Sequence, residues 1–299
     1  MNRSLRTLAG LSSVVLVSLL GLAGCATECH KDATTGQTVC TAETLVQYEG
    51  TAVQKSSPWA AGETIRINVK GGNVRSGFAA TAITVSGGGS AGTVAVNFRP
   101  FESNTKEKEA DAKKELTENL VLDVSESNGE VVVTVSQTGT HQSSLSARVD
   151  LTLPGDFAGA IIATSESGDI SIDGANGSVD AESSNADIDV SGAIHGLKVI
   201  TDNGDVAVAL SEAAAPVDTG SITTDRDISL TLPSESNVSL QAQAGELVTF
   251  APNPLPDGWL SNETADTAKS LTGNNGSSGD PWQLYNADFS FSHITVTIQ

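Results

Sequence analysis

Ser167-Gly168-Asp169-Ile170-Ser171-Ile172, Asn185-Ala186-Asp187-Ile188-Asp189-Val190 and Asn203-Gly204-Asp205-Val206-Ala207-Val208 follow one another at a period of 18 residues. A looser copy, Asp225-Arg226-Asp227-Ile228-Ser229-Leu230, comes 22 residues after the third. The other half of each period repeats too: Ile161, Val179 and Leu197 share one phase, and Ala163, Ala181 and Val199 another. Each period therefore holds two short strands and two turns. One such unit cannot bury its apolar row alone, and identical neighbours supply the missing surface, so the spacing predicts stacked coils rather than a meander of antiparallel hairpins. In that stack Ile170, Ile188, Val206 and Ile228 form one inward column, and Ile172, Val190, Val208 and Leu230 the next. Ser171, Asp189, Ala207 and Ser229 then point to solvent, as strand alternation requires. Gly168, Ala186 and Gly204 precede the aspartates, at a turn position where a left-handed backbone is expected, so Ala186 should be strained unless Asn185 takes that role.

Working outward, Ile65–Val69, Ile83–Val85 and Val94–Phe98 alternate at period two, the last ended by Pro100, and Val131–Val135 and Ser146–Leu153 follow the same rule. Between Asn104 and Leu120 the composition turns to Lys, Glu, Asp and Ala. Ala112, Leu116 and Leu120 lie four apart and Glu109 stands four before Lys113, which predicts one short helix lying across a face or end of the sheet. Thr41 to Glu63 is mixed, and Ser56-Ser57-Pro58 should break any strand there. Six of the 12 aromatic residues fall between Phe250 and Phe291, which predicts an aromatic cap, with a bulge near Ser292-His293. The fold class is thus all-β: a β-solenoid with coils of about 18 residues, one short helix and an aromatic C-terminal cap.

Composition agrees with this. Of 299 residues only 4% are aromatic and 17% charged, while glycine is frequent, as in many short strands and tight turns. A formal charge of -20 with no basic stripe excludes nucleic acid as a partner and favours cations or neutral surfaces.

The N-terminus carries Arg3 and Arg6, then an apolar stretch from Leu8 to Leu22, with no acidic residue before Glu28: a secretory signal over 1–24. Leu22-Ala23-Gly24-Cys25 resembles a bacterial lipobox. The resemblance implies diacylglycerol on Cys25, a further acyl chain on its amine, and membrane attachment through two or three buried chains; Ala26 in place of Asp leans toward the outer membrane. Cys29 and Cys40 remain as an even pair in an oxidising space, and a disulfide between them would close a hairpin around Thr35-Gly36. The rival, a metal site using both thiolates and His30, lacks a fourth ligand. Residues 25–62 are then a lipidated tether, and 63–299 the folded domain, with coil repeats over 157–240 and the cap over 241–299.

The repeated Gly-Asp-Ile-x-Ile units, together with strands and a charged helix before them, resemble the putative-adhesin domain family of bacteria, over roughly Glu63 to Leu240. The resemblance implies a single-stranded β-solenoid and no known chemistry. The chain departs from the family pattern at Ala186 and after Leu240.

His30, His141, His195 and His293 are scattered, and no nucleophile elbow, phosphate loop or dinucleotide fingerprint is present. Stacking would place Asp169, Asp187 and Asp205 in a column near 5 Å apart, where like charges repel by ~1 kcal/mol or more per pair unless screened; bridging calcium would relieve this. Trp259, Trp282 and Tyr285 could instead form a sugar-binding platform. The functional expectation is a non-enzymatic structural or adhesion module in the cell envelope, without a required cofactor, presenting an acidic face to a protein or polysaccharide. The alternatives are a β-helix enzyme that degrades polysaccharide and an accessory protein that docks another envelope component.

Overall fold

The computed structural model of the chain describes residues 25–31, 38–60, 62–69, 82–105, 109–138, 144–215, 218–273, 281–286 and 292–299. Residues 1–24, read above as a signal segment, together with His141, Phe289 and Phe291, lie outside them. In chain order the elements are β1 (Cys25–Lys31), β2 (Thr38–Glu49), β3 (Val53–Pro58), β4 (Thr64–Val69), β5 (Ala82–Gly89), β6 (Thr93–Thr105) and helix α1 (Glu109–Asn119). Then come β7 (Leu120–Ser127), β8 (Glu130–Gln137), β9 (Ser144–Pro154), β10 (Ile161–Ser165), β11 (Ile170–Ser183), β12 (Ile188–Thr201), β13 (Val206–Leu210) and β14 (Thr219–Thr224). The chain closes with β15 (Ile228–Leu232), β16 (Ser239–Gln243), β17 (Leu247–Ala251), β18 (Leu260–Ala265), β19 (Ala268–Thr272), β20 (Trp282–Asn286) and β21 (His293–Ile298). The described fold is all-β with one short helix.

The strands pair in two ladders. In the first, β8, β4, β10, the second half of β11, the second half of β12, β14, β20 and β16 lie parallel in that order. In the second the parallel order is β9, β5, the first half of β11, the first half of β12, β13, β15, β21 and β17. Ile170 faces Ile188, Ile188 faces Val206 and Val206 faces Ile228, while Val179 faces Leu197, so like residues lie on like as the 18-residue spacing requires. β11 and β12 each serve both ladders, the chain turning at Gly174 and Gly192. Gly192 has φ of +140°, and a Cβ there would sit 2.0 Å from the Ala175 carbonyl oxygen, so no other residue fits.

The inward side chains of both ladders form one dry core. Ile170, Ile188, Val206 and Ile228 are at most 1% exposed, and each large aliphatic so buried contributes about 1.5–3 kcal/mol. A third inward column of the first ladder is polar: Ser165, Ser183, Thr201, Thr224 and Asn286, all buried. Three of these side chains brace the turns. Ser165 Oγ accepts Gly168 N–H, Thr201 Oγ1 donates to the Ala186 carbonyl at 2.9 Å, and Thr224 Oγ1 donates to that of Gly204.

Gly168, Ala186 and Gly204 are not left-handed, contrary to expectation, and Ala186 is buried without strain. What demands glycine at 204 is close stacking: a Cβ would lie 1.9 Å from the Ala186 carbonyl oxygen. Helix α1 buries Ala112 and Leu116 beside β6, β7 and β2, as its narrow apolar stripe predicts, while Leu120, the third residue of that stripe, is buried as the first residue of β7.

Three expectations are corrected. Ser56-Ser57-Pro58 does not break a strand: β3 runs antiparallel to β6, and so does the second half of β2. Pro58 is tolerated because it is the last residue of its strand. Nor does Pro100 end β6, since it sits opposite the break between β2 and β3, where its carbonyl accepts Gly50 N–H at 2.9 Å. Finally, the segment 241–299 is only partly a cap. The β18–β19 hairpin continues antiparallel from β16 at the end of the first ladder, but β20 and β21 return between earlier strands. Trp282 fills the space left by Gly220, where a Cβ would meet the indole at 2.2 Å.

Candidate functional site

Every aspartate of the repeat occupies the same place, just before a strand of the second ladder. Its carbonyl accepts an N–H from the preceding neighbour, as in Ile170 N–H to Asp187 and Ile188 N–H to Asp205. Its own N–H has no strand carbonyl opposite, and the neighbouring carboxylate substitutes: Asp187 N–H donates to Asp169 Oδ1 at 3.3 Å and Asp205 N–H to Asp187 Oδ1 at 2.9 Å. The column continues with Asp227 N–H to Asp205 Oδ1 at 3.2 Å and His293 N–H to Asp227 Oδ1 at 2.8 Å. Asp169, Asp187 and Asp205 are thus brought together as expected, and backbone donors relieve the repulsion for which calcium was invoked. Among the described residues no group of three or more His, Cys, Asp or Glu side chains has the geometry to hold a metal ion.

The outer surface of the second ladder, beside this column, is concave. Two adjoining open hollows of about 460 and 360 Å³ share Asp189, Ala207 and Ser229. Short side chains make the floor, because alternation sends the large aliphatics inward: Ser171, Ala207, Ala209, Ser229 and Thr231. Asp173 and Asp189 rise from it, Asp187, Asp205 and Asp227 edge it, and His293 stands at one end. No lysine or arginine lines either hollow. Ser191 Oγ donates to Asp173 at 2.6 Å. Asp189 has no such relief: partial burial, then the charges of Asp187 and Asp169, push its carboxyl above the usual carboxylate value. A site that destabilises its own negative charge in this way is suited to a cationic or hydrogen-bonding partner.

The aromatic trio does not form a platform. Trp259 and Trp282 are 5% and 1% exposed, their indole N–H groups donating to the carbonyls of Ser234 and Asp218 at 2.9 and 3.0 Å. Only Tyr285 is exposed, on the first ladder, between Thr223 and Gln243. Bulky rings fill the stack instead of covering its surface. At the N-terminal end β1 and β2 form an antiparallel hairpin that begins at Cys25 and sets Cys29 directly opposite Cys40.

No family model matches the chain, and no curated protein matches it. Among solved structures it is similar to a putative cell adhesion protein from Clostridium sporogenes, at 12% identity and a TM-score of 0.39, over 83% of this chain and 100% of that one. It is also similar to a putative adhesin from Bacteroides fragilis, at 7% identity and a TM-score of 0.26, over 83% of this chain and 96% of the other. At these scores neither likeness fixes the fold or activity of this chain.

Asp173 and the special place of Asp189 are absent from the sequence expectation, which treats position 189 only as outward-facing. The signal was available. Of the four outward residues Ser171, Asp189, Ala207 and Ser229, only Asp189 is charged, and it lies two residues from another aspartate.

Proposed function

We propose that the two ladders are walls of a β-solenoid held at the bacterial outer membrane by lipid on Cys25, and that the chain acts as a non-enzymatic adhesion module. The partner lies along the acidic trough of the second ladder. One observation carries this reading: the trough concentrates carboxylates with no lysine or arginine in its lining. Its open, small-residue floor suits an extended polymer better than a small molecule, which needs enclosure. Among polymers a polysaccharide with neutral or amino-bearing units fits best. The strand backbone beneath is already hydrogen-bonded, so a peptide laid there would gain no ladder, whereas sugar hydroxyls can pair with Ser, Thr and Asp side chains.

The test is binding of the full chain to a partially deacetylated glucosamine polymer, its fully acetylated neutral form and an acidic polysaccharide. Salt-sensitive binding to the first, weakened by Asp189→Asn, supports the reading. Equal binding of all three, or none, defeats it. Release of reducing ends would favour the enzyme reading, for which the neighbouring Asp187 and Asp189 are the relevant carboxyl pair. Palmitate labelling that is lost in Cys25→Ser tests the anchor, and protection of Cys29 and Cys40 from thiol reagents until reductant is added tests the disulfide.

A further inference from the structure

At both ends of the stack the order of strands in space departs from their order in the chain. The first pair laid down, β4 and β5, does not lie outermost: β4 is held between β8 and β10, and β5 between β9 and β11. The last pair is placed in the same way, β20 between β14 and β16, and β21 between β15 and β17. In an ordinary repeat stack a chain end is also a stack end, has one neighbour and frays first. Here the parallel ladders end at β16 and β17, which the chain reaches long before β20 and β21 and against which only the β18–β19 hairpin is laid, with β19 pairing on β16 and the Asp266 carbonyl accepting Val248 N–H.

Side chains and backbone fasten these inserted strands to both neighbours. Arg66 on β4 pairs with Glu130 at the start of β8 at 3.1 Å. Gln283 on β20 donates to Gln241 on β16 at 3.2 Å, and the Trp282 ring packs over Gly220. His293 on β21 lies 3.4 Å from Asp227 on one side and 3.6 Å from Glu246 on the other. Gln299 is bonded to the end of β15 and to the turn after it, its N–H donating to the Leu232 carbonyl at 2.9 Å and its carbonyl accepting Ser234 N–H at 2.6 Å.

We propose a further function for this arrangement: the fold is a mechanical clamp that carries tension between its two chain ends. Once β1–β3 have peeled from β6, further extension must draw β4 or β21 out from between two strands, breaking two ladders at once. Resistance to pulling is a barrier property, so the doubled ladder raises the force at which the chain gives way rather than its equilibrium stability alone. The inference rests on strand order and not on the trough, so its failure would leave the proposed binding surface untouched.

Single-molecule pulling of the full chain by its two ends tests it. The expected record is an early release of the residues before Thr64, followed by one rupture that frees the rest. A staircase of roughly 6 nm steps, one 18-residue period at a time, would overturn the clamp. A handle moved to Gly245, in the turn between β16 and β17, should give a first rupture at several-fold lower force, and an unchanged force would overturn it equally. Hydrogen exchange supplies a readout without force: amides of Ile294–Ile298 should exchange more slowly than those of Thr249–Ala251, and the reverse order is incompatible with the proposal.

Discussion

The outer faces of the two ladders differ although they are built by the same alternation. On the first ladder two ion pairs set bases beside acids, Arg66 with Glu130 and Lys198 with Asp180, both at 3.1 Å. On the second, Arg148 meets Asp150 at 2.8 Å on β9, and beyond it the trough carries Asp173, Asp187, Asp189 and Asp205 with no lysine or arginine in its lining. Paired charges in water contribute little and leave little for a partner. Asp189, pushed up by partial burial and by the charges of Asp187 and Asp169, is held there at a cost to the fold, and the proposed binding reading draws on that cost.

The inner sides must be alike if the ladders share one core, and this is where the largest effects are expected. Ile188→Ala on the second ladder and Leu197→Ala on the first should each lower unfolding free energy by about 2–5 kcal/mol, read from denaturant melts. A clearly smaller loss for one would break the picture of a single interior. Next comes the polar column that braces the turns. Thr201→Val removes the hydroxyl from the Ala186 carbonyl and should cost about 1–3 kcal/mol, because a buried acceptor is left unpaired. Ser183→Ala, one neighbour away, should cost almost nothing, since its buried hydroxyl has no partner to lose.

The central repeats are legible in the sequence for a definite reason. Parallel stacking with an 18-residue offset writes the same residue types at the same phase, so Ile170, Ile188 and Val206 announce their own contacts. Helix α1 is legible because Ala112, Leu116 and Leu120 mark one face. The inserted strands leave no such mark. β4 meets β8 and β10 across separations set by intervening loops and a helix, and Ile65 facing both Val131 and Ile161 is invisible to any period. Trp282 reads as part of a terminal cap, or of a sugar platform, until the gap at Gly220 is known. For β3, pairing with β6 overrides the poor local propensity of Ser56-Ser57-Pro58. The acidic column is legible as a column, but its bonds to backbone N–H groups are not, because they depend on carbonyls that the turns direct elsewhere.

Those bonds separate structural from electrostatic roles within the trough. Asp187→Ala removes the acceptor for Asp205 N–H and should cost about 1 kcal/mol, whereas Asp187→Asn retains Oδ1 and should cost less, though it removes the same charge. Equal losses for the two variants would mean that the carboxylate acts through its charge alone. The comparison is made in melts at neutral pH, before any binding measurement is interpreted.

The smallest effect divides the faces most cleanly, because its sign differs between them. The hydrogen bond from Arg66 holds the Glu130 carboxyl below its usual value, against the opposing effect of desolvation. A carboxyl lowered by folding stabilises above its unfolded pKa, about 4.3, and that contribution is lost as pH falls through the lowered folded value. Asp189 is raised by partial burial and by Asp187 and Asp169, so its contribution runs the other way. It is fully present below the unfolded pKa, about 3.9, and is lost as pH rises through the raised folded value. Acidification from pH 7 should therefore weaken the first face and relieve the second. In stability measured against pH, Glu130→Gln should remove a loss on the acid side, while Asp189→Asn should remove a gain there and leave the chain at least as stable as the parent at neutral pH. If Asp189→Asn instead destabilises the chain at pH 7, the carboxylate is compensated by a partner within the fold, and the trough is no more open to a ligand than the opposite face.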